Sequence, residues 1–208
     1  MTEKSTGLNA AYDLKSPEDS LRLYRDWAAT YDADFARRMD YLMPEKIAAA
    51  FADLGTGPVL DIGAGTGLVA EALARRGIAP VDGLDISAEM LAIADGKGVY
   101  RRTVVADLTK ALPLADRTYR GFVSSGTFTH GHVGPEALDE LLRVAEQDAL
   151  FVLSVHAGVY EAGGFAQKFD ELRHAIRDLT VQSVPIYGEA ATGEHRDDKA
   201  LIVSFYRR

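Results

Sequence analysis

Residues 59–67 read VLDIGAGTG, and no other stretch narrows the fold as much. Val59, Leu60 and Ile62 flank Asp61 in a short apolar run with the composition of a buried strand. Gly63, Gly65 and Gly67 at alternate positions then permit a turn that side chains would obstruct. The following LVAEALARR, residues 68–76, carries apolar and small residues at helical spacing until Gly77 stops it. Strand, glycine turn and helix form the unit from which open α/β sheets are built. Such sheets hold their ligands at the carboxyl end of the strand, where this turn lies.

The unit recurs. Short apolar runs predict strands at 59–62, 81–85, 101–106, 120–125, 149–156, about 181–187 and 200–206, with helices near 67–76, 87–95 and 135–146. This alternation predicts a seven-stranded, mostly parallel sheet with helices on both faces. The turn-rich link EAATGEHRDDK makes the last two strands a hairpin, which puts one antiparallel strand at the end of the sheet. Residues 1–55 carry no strand signal. Ser16-Pro17-Glu18-Asp19 is a helix start, and the LRLYRDWAATYDADFARRMDYL that follows places Leu23, Trp27 and Tyr31 four apart with Tyr24 beside them. Pro44 opens a further helix through Ala52. The chain reads as one domain, 1–208, with a helical N-terminal lid over 1–55 and an α/β core over 56–208, since 208 residues suit one substantial core better than two.

Composition removes several functions. A formal net charge of -8 argues against neutralising nucleic-acid phosphates in bulk. No cysteine is present, which excludes disulfides, thiolate metal sites and a cysteine nucleophile and suits a reducing cytosol. No run approaches the roughly 20 apolar residues of a membrane span, and the first residues lack the apolar centre of a signal peptide. A cytoplasmic protein without a membrane partner is expected. No pattern on its faces indicates an oligomeric state.

The candidate chemistry lies at strand ends. VDGLDIS ends in Asp85, 24 residues beyond Asp61, where a carboxylate can accept both hydroxyls of a ribose; capping the helix at Ser87 is the plainer alternative. TVVADLT ends in Asp107. If the three strands are neighbours, their acids line one edge and can hold an amine, a ribose and an adenine amino group. The sixth position of the dinucleotide pattern G-x-G-x-x-G is Leu68 here, which counts against a nicotinamide cofactor and an NAD-dependent oxidoreductase. In FVSSGTFTHGHVGPEAL, residues 122–138, the small Ser124, Ser125 and Gly126 allow close backbone approach to a ligand. His130 and His132 in the same loop are candidate general bases or plain loop residues; no third ligand is evident, so no metal site is expected.

Taken in order, VLDIGAGTG, GLDIS, VVADLT and FVSSGTF resemble the first four motifs of the class I S-adenosylmethionine-dependent methyltransferases, which have a Rossmann-like sheet, over the chain from about Tyr24 onward. YRDWAATYDAD, GLDISAEML, KGVYRR and SSGTFTHGHVGPEAL resemble, within that family, the methyltransferase-like proteins related to the Williams-Beuren syndrome region methyltransferase. The resemblance implies S-adenosylmethionine as cofactor. Gly63, Gly65 and Gly67 would flank its methionine part, Asp61 its amine and Asp85 its ribose; Ile86 and Met90 would border the adenine. Asp107 and the Leu108 backbone would bind the base, Ser125 and Gly126 would line the sulfonium side, and Tyr31 would close the site. It departs from the family at Gln147-Asp148-Ala149, where a Pro-Gly-Gly turn is usual, and at Arg120, where an acid is frequent. The implied reaction is in-line methyl transfer to a small molecule, with His130 or His132 as base; a protein that binds the cofactor without catalysis is the alternative.

Overall fold

The computed structural model describes residues 10–11, 17–131 and 133–208, so the predicted cap Ser16 and the candidate base His132 lie outside the described residues. Seven strands form one sheet: β1 (Val59–Ile62), β2 (Val81–Asp85), β3 (Arg102–Val105), β4 (Tyr119–Phe128), β5 (Ala145–His156), β6 (Ile176–Pro185) and β7 (Lys199–Arg207), in the spatial order β3-β2-β1-β4-β5-β7-β6. All neighbours from β3 to β5 are parallel, and β7 runs antiparallel to both β5 and β6. One antiparallel strand in a seven-stranded sheet is the expected pattern, but its place is not the expected one. β7, with ALIVSF, lies inside the sheet, and β6, whose RDLTVQS is largely exposed, takes the edge. The more apolar strand of the hairpin gains most from cover on both sides, and a polar edge resists further strand pairing.

Helices cover both faces. Before the sheet come α1 (Pro17–Trp27), a π-helical turn (Asp32–Arg37) and α2 (Met43–Ala52), so the helix expected to run on from Pro17 breaks after Trp27. Then follow α3 (Leu68–Ala74), α4 (Ala88–Gly96) and α5 (Ala137–Val144), with α6 (Ala157–Tyr160) and α7 (Phe165–Glu171) between β5 and β6, where no helix is predicted. One core packs Leu138, Leu141 and Phe169 against Phe122, Phe151 and Phe205; the other packs Trp27, Phe35, Met43, Ile47 and Phe51 against Val59, Val123 and Val152. Phe122, Phe151 and Phe205 are direct register partners on β4, β5 and β7, with ring centroids 4.2 and 4.6 Å apart, and stack as a ladder through the middle of the sheet. Among the described residues no helix is long and apolar enough to cross a membrane.

Because β3, β2, β1 and β4 are adjacent and parallel, the loops after them open on one edge. The N-terminal segment reaches that edge: Tyr41 bridges Tyr187, Leu42 N–H donates to the Ile186 carbonyl (3.0 Å), and Gly188 N–H donates to the Asp40 carbonyl (2.8 Å).

Candidate functional site

At this edge a cavity of about 950 Å³, mouth included, lies over the glycine turn. Of the residues expected to hold a cofactor, Tyr31, Gly63, Gly65, Asp85, Ile86, Met90, Asp107, Leu108, Ser125 and Gly126 line it. Asp85 ends β2, and its two carboxylate oxygens accept the backbone N–H of Gly65 and of Ser87, each at 2.8 Å. It therefore holds the glycine loop while its remaining lone pairs face the cavity. Burial raises its pKa, against the opposing pull of the N–H groups of Ser87, Gly65 and Ile86. Ser87 caps α4 with its own hydroxyl, which accepts Met90 N–H (3.2 Å), so Asp85 is not the capping side chain. Asp107 folds back on itself: Oδ1 accepts Thr109 N–H (2.9 Å) and Oγ1 (2.7 Å), and Lys110 lies 3.0 Å from Oδ2. Burial alone would raise the Asp107 carboxyl, but those Thr109 and Lys110 contacts bring it below its ordinary value.

Two expected residues sit elsewhere. A Cβ on Gly67, at φ +87°, would meet Ala94, Val99 and Tyr100 at 3.3–3.4 Å, none of which lines the cavity; this glycine lets the end of the turn approach α4 and the segment after it. Asp61 is fully buried beneath the turn, outside the lining, with Oδ2 accepting the Tyr100 hydroxyl at 2.7 Å. Its Oδ1 is buried with no hydrogen-bond partner. Burial pushes its carboxyl up to about 8, with the Tyr100 hydroxyl opposing and the Asp85 charge adding. The contrast is Asp82, equally buried, which takes Arg101 at 2.8 and 2.7 Å, Arg102 at 2.9 Å and Tyr119 at 2.8 Å. Burial alone would raise Asp82 too, yet these partners bring it below its ordinary value. A structural carboxylate in this molecule is saturated; Asp61 is not, and such a group at a strand end marks a functional candidate.

The fourth strand closes the far side. Ser124 and Thr127 both donate to the Ile62 carbonyl, at 2.8 and 2.9 Å, which ties β4 to β1 and directs Ser125 and Gly126 into the cavity wall. The Tyr41 and Ser125 hydroxyls are 2.9 Å apart. His130 lies outside the lining, with its ring 4.7 Å from that of His156. Tyr24, Tyr41, Thr66 and Thr127 also line the cavity. The aromatic spacing of the N-terminal segment flags Tyr24, whereas no local signal in the sequence marks the other three.

The N-terminal segment is fastened over this edge. Asp32, in the π-helical turn, accepts the Thr66 hydroxyl at 2.5 Å and the Lys97 ammonium at 2.6 Å, and Lys97 also reaches Glu71 at 2.8 Å. Asp32→Ala is expected to speed hydrogen exchange in α1 and the π-helical turn severalfold with little change in global stability, because partly exposed ion pairs contribute about 1 kcal/mol or less. Unchanged exchange would show that the aromatic packing alone holds the segment.

A second, smaller cavity of about 600 Å³ shares Tyr24, Tyr31, Tyr41 and Gly126 with the first. Beyond that junction its wall is Trp27, Phe35, Met43, Phe128, Ile186 and Tyr187, with Thr129, Ser154 and His156 as polar groups.

A family model of the methyltransferase domain matches residues 60–153. The chain is 30% identical over 147 residues to human methyltransferase-like protein 27, a match covering 68% of this chain and 60% of that protein. It is 31% identical over 206 residues to the malonyl-[acyl-carrier protein] O-methyltransferase of Geobacter sulfurreducens, covering 86% of this chain and 76% of that one. A crystal structure of an S-adenosylmethionine-dependent methyltransferase of Thermotoga maritima superposes with a TM-score of 0.63 at 18% identity, over 90% of this chain and 98% of that chain, which speaks for the fold alone. With its seven-stranded sheet, its glycine turn and acids at the carboxyl edge, and these relatives, the chain belongs to the class I S-adenosylmethionine-dependent methyltransferases.

Proposed function

We propose that this chain transfers the methyl group of S-adenosylmethionine to a small molecule seated in the aromatic chamber beside the cofactor cavity. The observation that carries this reading is the junction: Tyr24, Tyr31, Tyr41 and Gly126 border both spaces, which sets the chamber directly against the cofactor cavity. The residues suit the cofactor. A Cβ on Gly65 would meet no protein atom within 4 Å, so the turn leaves open room there; Asp85 offers acceptors for ribose hydroxyls, and Ile86 and Met90 give an apolar slot for the adenine beside Asp107 and the Leu108 backbone. Gly63 and Gly65 flank the place for the methionine part, with the Asp61 carboxyl sealed beneath the turn where it acts on the amine through its charge, and Ser125 and Gly126 line the sulfonium side. Bound, the cofactor supplies a methyl group already made electrophilic by the sulfonium. The protein's own work is then to hold the acceptor in line, with the tyrosine junction and the N-terminal segment as a lid against water.

Titration calorimetry with S-adenosylhomocysteine, with NAD in parallel, tests the cofactor half; heat with NAD alone would overturn it. Incubating the protein and labelled methyl donor with cell extract tests the rest: label in a product of low mass is expected, and label confined to protein would overturn the small-molecule acceptor.

A proton should leave when the ligand binds. Without ligand the Asp61 carboxyl, at about 8, holds its proton at pH 7; a cationic amine bound above the turn favours the carboxylate. Binding of S-adenosylhomocysteine at pH 7 is therefore expected to release up to about one proton and to tighten as pH rises toward 8. The sign for stability is opposite. The folded value lies above the ordinary 3.8, so this group's contribution is complete below pH 3.8 and is lost as pH rises through about 8. Calorimetry in two buffers of different ionisation heat reads the release directly. Asp61→Asn should abolish it, and an unchanged release in that variant would assign the proton elsewhere.

A further inference from the structure

The walls of the smaller chamber carry chemistry that bears on which acceptor it takes. Some of its rings meet edge to face, Trp27 and Tyr31 at 5.0 Å and 75° and Phe35 and Tyr187 at 6.1 Å and 89°, while others are tilted or stacked. A T-shaped pair sets the negative face of one ring beside the positive edge of the next. No Asp, Glu, Lys or Arg occurs among the described residues lining it. At its mouth the phenols of Tyr24, Tyr31 and Tyr41 are all pushed up by burial, Tyr41 to about 12, so they keep their protons at neutral pH. His156, at the end of β5, is the one lining group of ordinary pKa near neutrality, and both its nitrogens are engaged. Nδ1 accepts Gly158 N–H at 3.1 Å, and Nε2 lies 3.5 Å from the Asp198 carboxylate. In the neutral ring the proton is therefore on Nε2. Burial, with the neighbouring His130, lowers its pKa and keeps that ring neutral.

We propose that the chamber takes a flat, uncharged nitrogen nucleophile, an aromatic N-heterocycle or an arylamine, as the methyl acceptor; this rests on the methyltransferase reading above. Such a nitrogen carries its lone pair without first losing a proton. The lone pair forms the N–CH₃ bond as the S–CH₃ bond breaks, the electron pair of the broken bond stays on sulfur, and the positive charge passes from sulfur to nitrogen. No base is required. The aromatic faces attract the cation that develops. A phenol, in contrast, needs a proton acceptor that the described lining does not offer, and a carboxylate would be buried without a counter-ion.

Three probes built on the same two-ring frame separate these cases: isoquinoline, 2-naphthol and 2-naphthoate, each incubated with the full chain and S-adenosylmethionine, with methylated product measured by mass spectrometry. Isoquinoline is expected to be methylated about tenfold faster or more than either of the others. Tyr187→Ala, which touches the chamber and not the cofactor cavity, is expected to cut that rate about tenfold while S-adenosylhomocysteine affinity stays within about threefold. Ala200→Leu fills the chamber from β7 and should do the same, and retained S-adenosylhomocysteine binding certifies that both variants fold. Faster turnover of 2-naphthol or 2-naphthoate, methylation of none of the three, or undiminished isoquinoline turnover in both variants overturns the proposal, while binding of S-adenosylhomocysteine keeps the methyltransferase reading in place. Absence of that binding in the unaltered protein overturns both.

Discussion

Asp85→Ala is expected to weaken S-adenosylhomocysteine binding about a hundredfold or more. The side chain has two tasks at one point: it accepts the N–H of Gly65 and of Ser87, each at 2.8 Å, and it faces the cavity where ribose hydroxyls are proposed to lie. Hydrogen bonds to a charged group contribute about 1.5–3 kcal/mol each, and about 2.7 kcal/mol is a hundredfold in affinity. Loss of the loop's anchor adds to this. Asp85→Asn keeps one acceptor oxygen but turns an NH₂ group toward a backbone N–H, so an intermediate loss is expected. Global stability should fall much less than binding, because removing a carboxyl whose pKa burial has raised also relieves its desolvation. Calorimetry and thermal melting on the same samples separate the two effects. Unaltered affinity in the alanine variant would remove Asp85 from the site.

Gly63→Ala should be the most damaging small substitution in the turn, lowering stability by about 3 kcal/mol and Tm by roughly 6–12 °C. Two costs combine. Gly63 sits at φ +65°, where an L-residue carries about 1–2 kcal/mol of strain, and a Cβ there would lie 2.0 Å from Thr127 Oγ1. That hydroxyl cannot easily withdraw, since it donates to the Ile62 carbonyl at 2.9 Å. Thr127→Ala on top of Gly63→Ala is expected to recover the steric part and leave the backbone strain. The carbonyl keeps Ser124 as a donor at 2.8 Å, so the loss of Thr127 itself is mild. The corresponding change at Gly65, where a Cβ meets no protein atom, should cost only the strain and should instead weaken the cofactor. Equal destabilisation at the two positions would contradict the contact assigned to Thr127.

Much of the fold was legible because its units are local. β1 and β2 begin and end where the apolar runs 59–62 and 81–85 do, and each is buried almost throughout. Elsewhere the local signal misleads at boundaries. The predicted helix 135–146 stops at Val144, and the chain enters β5 at once, because Ala145 pairs with Tyr119 across the sheet. Polar AEQDA has no strand pattern of its own. The order of β6 and β7 turned on which partner β5 accepts: the apolar ALIVSF of β7 takes the covered place beside it and the polar RDLTVQS of β6 the edge. The helices between β5 and β6 are short and held by contacts such as Phe169 on Phe205, which sequence spacing does not reveal.

In the site, the acids and glycines were visible as residue types at strand ends, and their division of labour was not. Asp61 and Asp85 occupy equivalent positions in their motifs. One is sealed under the turn against Tyr100 and the other faces the cavity, because Tyr100, after α4, packs against Gly83 and puts its hydroxyl beneath β1. His130 drew attention by its neighbour in sequence; in space its companion is His156, 26 positions along the chain, which in turn lies by Asp198.

The alternation of strand and helix, the glycine turn, and the acids at 85 and 107 were determined by the sequence alone, since each depends on periodicity and backbone freedom within a few residues. The tyrosine junction and the aromatic chamber behind it were decided only by tertiary structure. They bring Tyr24, Tyr31 and Tyr41 against Gly126 and Tyr187, and contacts between residues so far apart arise when the helical N-terminal segment buries its aromatic face on the edge of a finished sheet.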